Sequence, residues 1–204
     1  MTEDKLKEVL KDKDLIIDLD NTIYEETDYL FQAYKKIADV LSQKYDKISS
    51  ESVYSFLKET FQKNGRKRIF DKLIKRFDLD NDISLMLNIL RNVKIPCKIE
   101  PFPKITKLIS YVLKCNNKVI VFTNGNYLQQ KNKLNYINFG HFKNELIFEF
   151  AVLYEPKPST LGLEIIIDKY SLDKESIIYI GDSKFDELPA NKMNILFLNV
   201  NQIV

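Results

Sequence analysis

Residues 15–22 have the sequence LIIDLDNT, in which a short apolar run ends in two carboxylates, an amide and a hydroxyl. An apolar run of this length between charged residues is typical of a strand buried on both faces of a parallel sheet. The alternation of side chains along a strand places Asp18 and Asp20 on one side and Leu19 on the other. Because open α/β folds bind ligands at the carboxyl edge of the sheet, the two acids are candidates for a site. The alternative is a strand that ends in a helix cap, with Asp20 or Asn21 as the capping residue.

The composition limits the class of protein. The 204-residue chain is 45% hydrophobic and carries 31 basic and 29 acidic residues, for a net charge of +2. This length predicts one domain, or one domain with an insert. The lysines are interleaved with acids, which argues against a nucleic acid polymer as partner. No apolar run reaches the ~20 residues that span a bilayer, and residues 1–13 are too charged for a signal peptide. We therefore expect a cytoplasmic monomer or homodimer with no membrane partner.

Cysteine and histidine are scarce, with two and one residues respectively. Cys97 and Cys115 are far apart and have no metal-ligand spacing, so we expect reduced thiols in the core. The single histidine, His141, excludes multi-histidine zinc sites. In an enzyme, the acid–base chemistry must therefore come mostly from carboxylates.

The remainder of the chain divides into a helical stretch and an alternating stretch. Residues 23–98 contain four apolar stripes at helical spacing, which predict a helical insert. After residue 103 the pattern alternates, with strands predicted over residues 118–122, 176–180 and 195–200, the last of them buried, extended chain over 146–153, and helices over 104–114, 127–136 and 159–170. The predicted fold class is α/β, a Rossmann-like parallel sheet with helices on both faces. Residues 1–22 and 99–204 form its core domain.

Further polar clusters lie at or just beyond the ends of the later strands. They are Thr123-Asn124-Gly125, Lys157 between two prolines, and Asp182-Ser183 with Asp186. The carboxyl ends of parallel strands share one edge, so these side chains can converge with Asp18 and Asp20. Each cluster alone also fits a cap, a turn or a surface lysine, but their coincidence at one edge favours a functional site.

Electrostatics then restricts the kind of site. Carboxylates ~4 Å apart repel each other by roughly 4 kcal/mol at an effective dielectric of 20, so an acidic cluster requires a cation or protonation. Oxygen ligands select a hard cation, and Mg²⁺ is the usual one where a phosphate shares the site. A hydroxyl, backbone amides and an ammonium supply what the anion needs. The residues alone predict a magnesium-dependent site for a phosphoryl group.

In this order, the clusters resemble the four motifs of the haloacid dehalogenase-like (HAD) superfamily of hydrolases. DLDNT at residues 18–22 resembles the nucleophile motif, Thr123-Asn124 the second motif, Lys157-Pro158 the third, and GDSKFD at residues 181–186 the fourth. The resemblance covers the whole chain. The insert at residues 23–98 is similar to the helical cap of the phosphatase branch. The sequence DLDNTIY is similar to the first motif of the branch that includes pyrimidine 5′-nucleotidases.

The resemblance implies roles for the acids. Asp18 is implied to be the nucleophile that forms an aspartyl-phosphate, and Asp20 the acid that protonates the leaving oxygen and then activates water. Mg²⁺ is implied to bind Asp18, the backbone carbonyl of Asp20, and Asp182. Asp186 is implied to complete this metal site directly or through water, although the adjacent Glu187 leaves that assignment open.

The resemblance also implies a phosphate site at Thr123, Asn124 and Lys157. One departure is Pro156, which stands where the family often has a glycine before the lysine. Asp20 favours a phosphatase within the superfamily, because a halide leaves without a proton whereas an alkoxide needs one.

The predicted function is therefore magnesium-dependent hydrolysis of a small metabolite phosphate, which is a sugar, amino-alcohol or nucleotide monophosphate. The alternatives are a sugar-phosphate mutase of the same superfamily and a non-catalytic protein that binds a phosphorylated ligand.

Overall fold

The computed structural model describes residues 3–204. This part of the chain contains five strands, namely β1 (Asp14–Ile17), β2 (Val119–Thr123), β3 (Ile147–Phe150), β4 (Ile177–Gly181) and β5 (Leu196–Asn199). It also contains nine α-helices, namely α1 (Glu3–Leu10), α2 (Glu26–Lys44), α3 (Ser50–Asn64), α4 (Ile69–Phe77), α5 (Ile83–Asn92), α6 (Pro103–Lys114), α7 (Tyr127–Tyr136), α8 (Leu161–Lys169) and α9 (Lys184–Lys192).

The chain forms two compact units. The first comprises the described residues up to Glu26 together with Lys98–Gln130 and Ile137–Val204. The second comprises Thr27–Cys97 and Lys131–Tyr136. Helix α7 therefore contributes its first turn to one unit and its remainder to the other. The domain limits predicted from the sequence pattern stay a prediction.

The first unit is built on a parallel sheet with the strand order β3-β2-β1-β4-β5. On one face, side chains such as Ile16, Phe122 and Tyr179 pack with residues of α8 and α9 in a single apolar cluster. The alternate residues of the same strands, such as Leu15 and Val121, are buried as well. Strands buried on both sides are typical of a parallel sheet covered by helices, and the predicted fold class is confirmed.

The second unit owes its core to the apolar stripes of α2, α3, α4 and α5. Their buried side chains, including Leu41, Leu57, Leu73 and Met86, form one cluster. Helix α3 begins after Ser49, whose hydroxyl caps the helix by accepting a hydrogen bond from the N–H of Ser52 at 3.2 Å.

Two strand predictions in the first unit are wrong in part. The extended chain predicted over residues 146–153 is strand only in β3, because a 3₁₀ turn at Ala151–Leu153 follows it. The last strand, predicted over residues 195–200 as buried, is the edge strand β5, and its Leu196 is 51% exposed. An edge strand has one neighbour instead of two, so an apolar sequence alone does not bury it.

The prediction that the cysteines lie in the core is wrong. Cys97 and Cys115 are both free thiols on the surface. Cys115 lies at the C-terminal end of α6, and Cys97 lies in the connection that precedes this helix. A connection runs over the surface, so the apolar character of a thiol does not decide its burial there.

Helix length and polarity bear on membrane insertion. Helix α2 has 19 residues, but its mean hydropathy is low because charged residues recur along it. Among residues 3–204, no helix combines the length and the apolar character needed to cross a membrane.

Candidate active site

The C-terminal end of β1 brings Asp18 to the edge of the sheet. The N–H of Asp18 donates to the carbonyl of Ile180 at 2.9 Å, so the pairing with β4 continues past the strand. The chain then turns at Asn21, which has φ of +56°, a left-handed conformation that asparagine tolerates. The Asn21 side-chain oxygen accepts a hydrogen bond from the N–H of Glu26 at 3.0 Å, at the start of α2. Asn21 therefore stabilises the helix start, and its side chain also hydrogen-bonds the Asp182 carboxylate.

Lys157 lies between two carboxylates. Its Nζ is 2.7 Å from Oδ1 of Asp18 and 2.5 Å from Oδ1 of Asp186, and it also donates to the carbonyl of Phe122 at 3.0 Å. The lysine is only 4% exposed. Burial works to lower the pKa of this ammonium, but the charges of Asp18 and Asp186 outweigh burial and hold the pKa well above its ordinary value. Lys157 is therefore a fixed positive charge.

Asn124 positions this lysine. Its side-chain amide donates to the carbonyl of Lys157 at 3.0 Å, and its side-chain oxygen accepts from the N–H of Lys157 at 2.9 Å. The side chain predicted to bind phosphate is thus committed to the backbone of the lysine. A phosphate contact from Asn124 would have to come from its own backbone N–H.

Asp186 is the most deeply buried acid of the group. Its Oδ1 accepts from the hydroxyl of Tyr179 at 3.1 Å as well as from Lys157. Its Oδ2 accepts from the hydroxyl and the N–H of Ser183, at 2.6 and 3.2 Å. The same carboxylate caps the start of α9, where Ser183 and Asp186 form a capping box.

Gly181 makes room for this carboxylate. A Cβ at this position would lie 2.5 Å from the Cβ of Asp186 and 2.8 Å from its Oδ2. The glycine in the GDSKFD motif therefore allows the close approach of the strand end and the first turn of the helix. Of the two adjacent acids, Asp186 faces this cluster and Glu187 is exposed.

Three carboxylates form a group that fits a hard cation. Oxygen atoms of Asp18, Asp182 and Asp186 all lie within 4.8 Å of one another. Burial raises the pKa of Asp18 to about 7, against the lowering effect of Lys157. Burial also raises the pKa of Asp182, and the charge of Asp186 adds to this. Oxygen donors with excess negative charge match the ligand preference of Mg²⁺. Both oxygens of Asp186 already accept hydrogen bonds, so Asp18 and Asp182 are the better placed direct ligands.

Asp20 has different surroundings from Asp18. Its Oδ1 accepts from the hydroxyl of Tyr24 at 2.6 Å, and its Oδ2 accepts from the Nε2 of Gln130 at 2.9 Å. The same Nε2 donates to Oγ1 of Thr123 at 2.7 Å. The predicted acid–base residue and the predicted phosphate-binding hydroxyl are thus joined through one amide.

The family profile of haloacid dehalogenase-like hydrolases matches residues 15–200. The chain belongs to the haloacid dehalogenase-like hydrolase family. It is 25% identical over 180 residues to glyceraldehyde 3-phosphate phosphatase from Methanothermobacter thermautotrophicus (strain Delta H), covering 86% of this chain and 78% of the relative. The family match and this relative confirm the predicted enzyme class, a HAD-like phosphatase.

Solved structures share the fold of this HAD-like hydrolase. A β-phosphoglucomutase-like protein from Thermotoga maritima superposes with a TM-score of 0.63 at 13% identity, covering 90% of this chain and 82% of that one. A HAD hydrolase from Bacillus subtilis, solved with bound magnesium, gives a TM-score of 0.62 at 16% identity, covering 91% of this chain and 85% of that one. At these identities the likeness concerns the fold.

Sequence patterns did not identify Tyr24, Tyr179 and Gln130 as site residues of this HAD-like hydrolase. The first turn of α7 exposes an apolar side chain and buries polar ones, against the usual tendency. Leu128 is 53% exposed, whereas Gln129 and Gln130 are 8% and 2% exposed. Two glutamines in the first turn after Thr123-Asn124-Gly125 were the available signal. A helix that starts at a sheet edge can bury its polar side chains toward a site.

Proposed function

We propose that this HAD-like hydrolase is a magnesium-dependent phosphomonoester hydrolase that acts on a small phosphorylated metabolite through an aspartyl-phosphate intermediate. The observation that carries the proposal is the contrast between two neighbouring acids. Asp18 touches a buried ammonium and shares its cluster with two more carboxylates. Asp20 is held by the neutral donors Tyr24 and Gln130. Two carboxylates in unlike surroundings are suited to two roles, nucleophile and acid–base catalyst.

The chain supplies donors for a phosphoryl dianion. Lys157 contributes a fixed positive charge, Thr123 a hydroxyl, and the backbone that follows Thr123 contributes N–H groups. Asp18, the backbone carbonyl of Asp20, and Asp182 would hold Mg²⁺, which when bound offsets the negative charge of the acids and of the phosphoryl oxygens. Asp186 would support this arrangement by holding Lys157 in place.

The proposed reaction has two displacements at phosphorus. A carboxylate oxygen of Asp18 attacks phosphorus, and the bond from phosphorus to the ester oxygen breaks as Asp20 gives that oxygen a proton. The alcohol leaves, and Asp18 carries the phosphoryl group. Asp20 then accepts a proton from water, whose oxygen attacks phosphorus. The bond between phosphorus and Asp18 breaks, and inorganic phosphate leaves with both acids restored.

A small metabolite is the proposed substrate class. The archaeal relative is named for glyceraldehyde 3-phosphate, a three-carbon phosphorylated aldehyde. This supports a small phosphomonoester, within the predicted range of sugar, amino-alcohol and nucleotide monophosphates. The fold alone does not rank these candidates.

A panel of phosphomonoesters tests the proposal. Purified protein is assayed with Mg²⁺ against glyceraldehyde 3-phosphate, hexose phosphates, amino-alcohol phosphates, nucleotide monophosphates and an aryl phosphate, with release of inorganic phosphate as the readout. We expect release from several members, and most from one chemical class. Absence of release from the whole panel contradicts hydrolysis, and interconversion of sugar phosphates without release indicates a mutase.

Replacement of the acid–base residue gives a sharper test of the mechanism. We expect Asp20→Asn to slow hydrolysis of alkyl phosphates by roughly 10²–10⁴-fold, because their alkoxide leaving group needs a proton. An aryl phosphate has a good leaving group, so its loss should be smaller. Steady-state rates with both substrates check this, and equal losses for the two esters argue against the acid role.

A further inference from the structure

The amide of Gln130 lies between two residues to which the proposed function gives separate tasks. Its Nε2 is 2.7 Å from Oγ1 of Thr123 and 2.9 Å from Oδ2 of Asp20. A primary amide nitrogen has two hydrogens, so it can serve both acceptors at once. Gln130 is 2% exposed, which removes water as a competing partner.

We propose that Gln130 is a positioning residue that directs the Thr123 hydroxyl hydrogen toward the phosphoryl group and holds the Asp20 carboxylate in a fixed place beside the Thr123 hydroxyl. This inference rests on the proposed function. It adds a residue and a task that the acidic cluster and the lysine do not provide.

The effect on Thr123 follows from the chemistry of a hydroxyl. A hydroxyl has one hydrogen to donate, and the bond from Gln130 occupies a lone pair of its oxygen. The hydrogen must therefore point away from Gln130. Its present acceptor is the carbonyl of Asn124 at 3.2 Å, which is long for a bond of this type. A phosphoryl oxygen can replace this acceptor with a shorter, charge-assisted bond.

The effect on Asp20 is one of placement. Gln130 holds one carboxylate oxygen and Tyr24 holds the other, at 2.9 and 2.6 Å. Tyr24 is fully buried and follows Asp20 closely in the chain. The carboxylate is thus held from two directions. Gln130 also donates to Thr123, and this second bond separates the two donors by experiment.

The surroundings of Gln130 favour its extended path to the site. Gly125 has φ of +117°, and a Cβ there would lie 3.3 Å from Cδ of Gln130. The glycine lets the glutamine side chain pass close to the turn after β2. The backbone of Gln130 is fixed in the first turn of α7, because its N–H donates to the carbonyl of Asn126 at 2.9 Å.

Binding of inorganic phosphate in the presence of Mg²⁺ tests the proposal without turnover. Calorimetric titration compares the wild type with Gln130→Met, which keeps the length of the side chain and lacks its donors. We expect about a fivefold weaker affinity in Gln130→Met, the size of effect that loss of a neutral hydrogen bond produces. Tyr24→Phe is the matched control, because it removes the hydroxyl that donates to Asp20 and keeps the bond from Gln130 to Thr123, so it should weaken phosphate binding less than Gln130→Met does.

A double substitution separates positioning from packing. If Gln130 acts through the Thr123 hydroxyl, Gln130→Met should weaken phosphate binding no further in a Thr123→Val background. Turnover of an alkyl phosphate adds a second readout: Gln130→Met should raise KM and lower kcat, whereas Tyr24→Phe should lower kcat alone. Thermal unfolding checks that each variant folds. Should Gln130→Met not fold, Gln130→Leu replaces it with the same expectation, since this neutral side chain also lacks the amide donors.

The outcomes distinguish this inference from the proposed function. Equal weakening by Gln130→Met with and without the Thr123 hydroxyl overturns the positioning role, as does wild-type phosphate affinity in Gln130→Met. If the wild type binds phosphate with the expected variant pattern but hydrolyses no ester, the proposed function fails and the positioning of Thr123 stands.

Discussion

Two clusters on the same sheet, each centred on a buried acid, contain the same kinds of side chain and differ in charge balance. The site cluster consists of Asp18, Asp182, Asp186 and Lys157, with Tyr179 beside them. In the second cluster, here called the scaffold cluster, Glu149 of β3 accepts hydrogen bonds from Lys169 at 2.7 Å, from Tyr170 at 2.5 Å and from Tyr154 at 2.6 Å. The scaffold cluster pairs one acid with one base. The site cluster has three acids for one lysine.

The pKa values respond to this difference. Burial works to raise the pKa of Glu149, but the bonds from Lys169, Tyr154 and Tyr170 outweigh it, so the pKa is lowered from its ordinary value. Burial raises the pKa of Asp18 to about 7, and Lys157 does not overcome it. In the scaffold cluster one lysine balances the charge of one acid. In the site cluster the negative charge of three acids exceeds the positive charge of one lysine. Burial together with an excess of acids over bases distinguishes the site cluster from the scaffold cluster.

Removal of the nucleophile should have the largest effect. We expect Asp18→Asn to lower phosphatase turnover by roughly 10⁴-fold or more, because an amide cannot form the acyl phosphate. Glu149→Gln is the matched control from the scaffold cluster and should keep turnover close to that of the wild type, because Glu149 bonds to Lys169, Tyr170 and Tyr154 and not to the proposed catalytic residues. Phosphate release by both purified variants measures this. Turnover in Asp18→Asn close to that of the wild type would remove the nucleophile assignment.

Metal addition should separate the clusters by stability. Mg²⁺ at about 100 times its dissociation constant should stabilise the wild type by about 2.7 kcal/mol, because it binds only the folded chain. Asp182→Asn should lose most of this gain, and Glu149→Gln should retain it. Thermal unfolding with Mg²⁺ or with a chelator gives the result. A gain that persists in Asp182→Asn places the metal elsewhere.

The scaffold cluster should matter more for stability than for turnover. We expect Glu149→Gln to lower the free energy of unfolding at neutral pH by about 1.5–3 kcal/mol, since charge-assisted bonds are lost. The folded-state pKa of Glu149 lies below its ordinary value of 4.5, so its contribution is present above that pH and is lost as the pH falls through the folded-state pKa. The difference between the two proteins should therefore shrink on acidification. Urea unfolding at neutral pH and at about pH 3.5 measures it, and a constant difference contradicts the ionic role.

Loss of one hydroxyl from the scaffold cluster should have the smallest effect. Tyr170→Phe removes one of three donors to Glu149 and keeps the ring, so we expect a loss of about 0.5–1.5 kcal/mol in unfolding free energy. Turnover should be unchanged. The same urea titration measures the loss, and a loss as large as that of Glu149→Gln would show that the three donors act as one unit.

The sequence predicted those features that repeat along the chain or depend on charge. Alternating helices and strands predicted the parallel sheet, and the expected crowding of Asp18, Asp20, Asp182 and Asp186 predicted an acidic group at its edge. The structure groups Asp18, Asp182 and Asp186. Side chains whose role depends on a neighbour far along the chain were missed. Gln130 donates to Asp20, which lies 110 residues earlier in the chain, and no local pattern encodes that contact. The exposure of Cys115 was missed for the related reason that a residue type does not specify its place in a turn.

The close approach at Gly181 ties the architecture of the first unit to its chemistry. One carboxylate, that of Asp186, begins α9 through Ser183 and also fixes Lys157, and a single added methyl at position 181 would displace it. A change there would alter the helix start and the charge of the site together. A substitution at this turn must therefore preserve both the start of α9 and the position of Lys157. A protein engineer cannot change one of these features without changing the other.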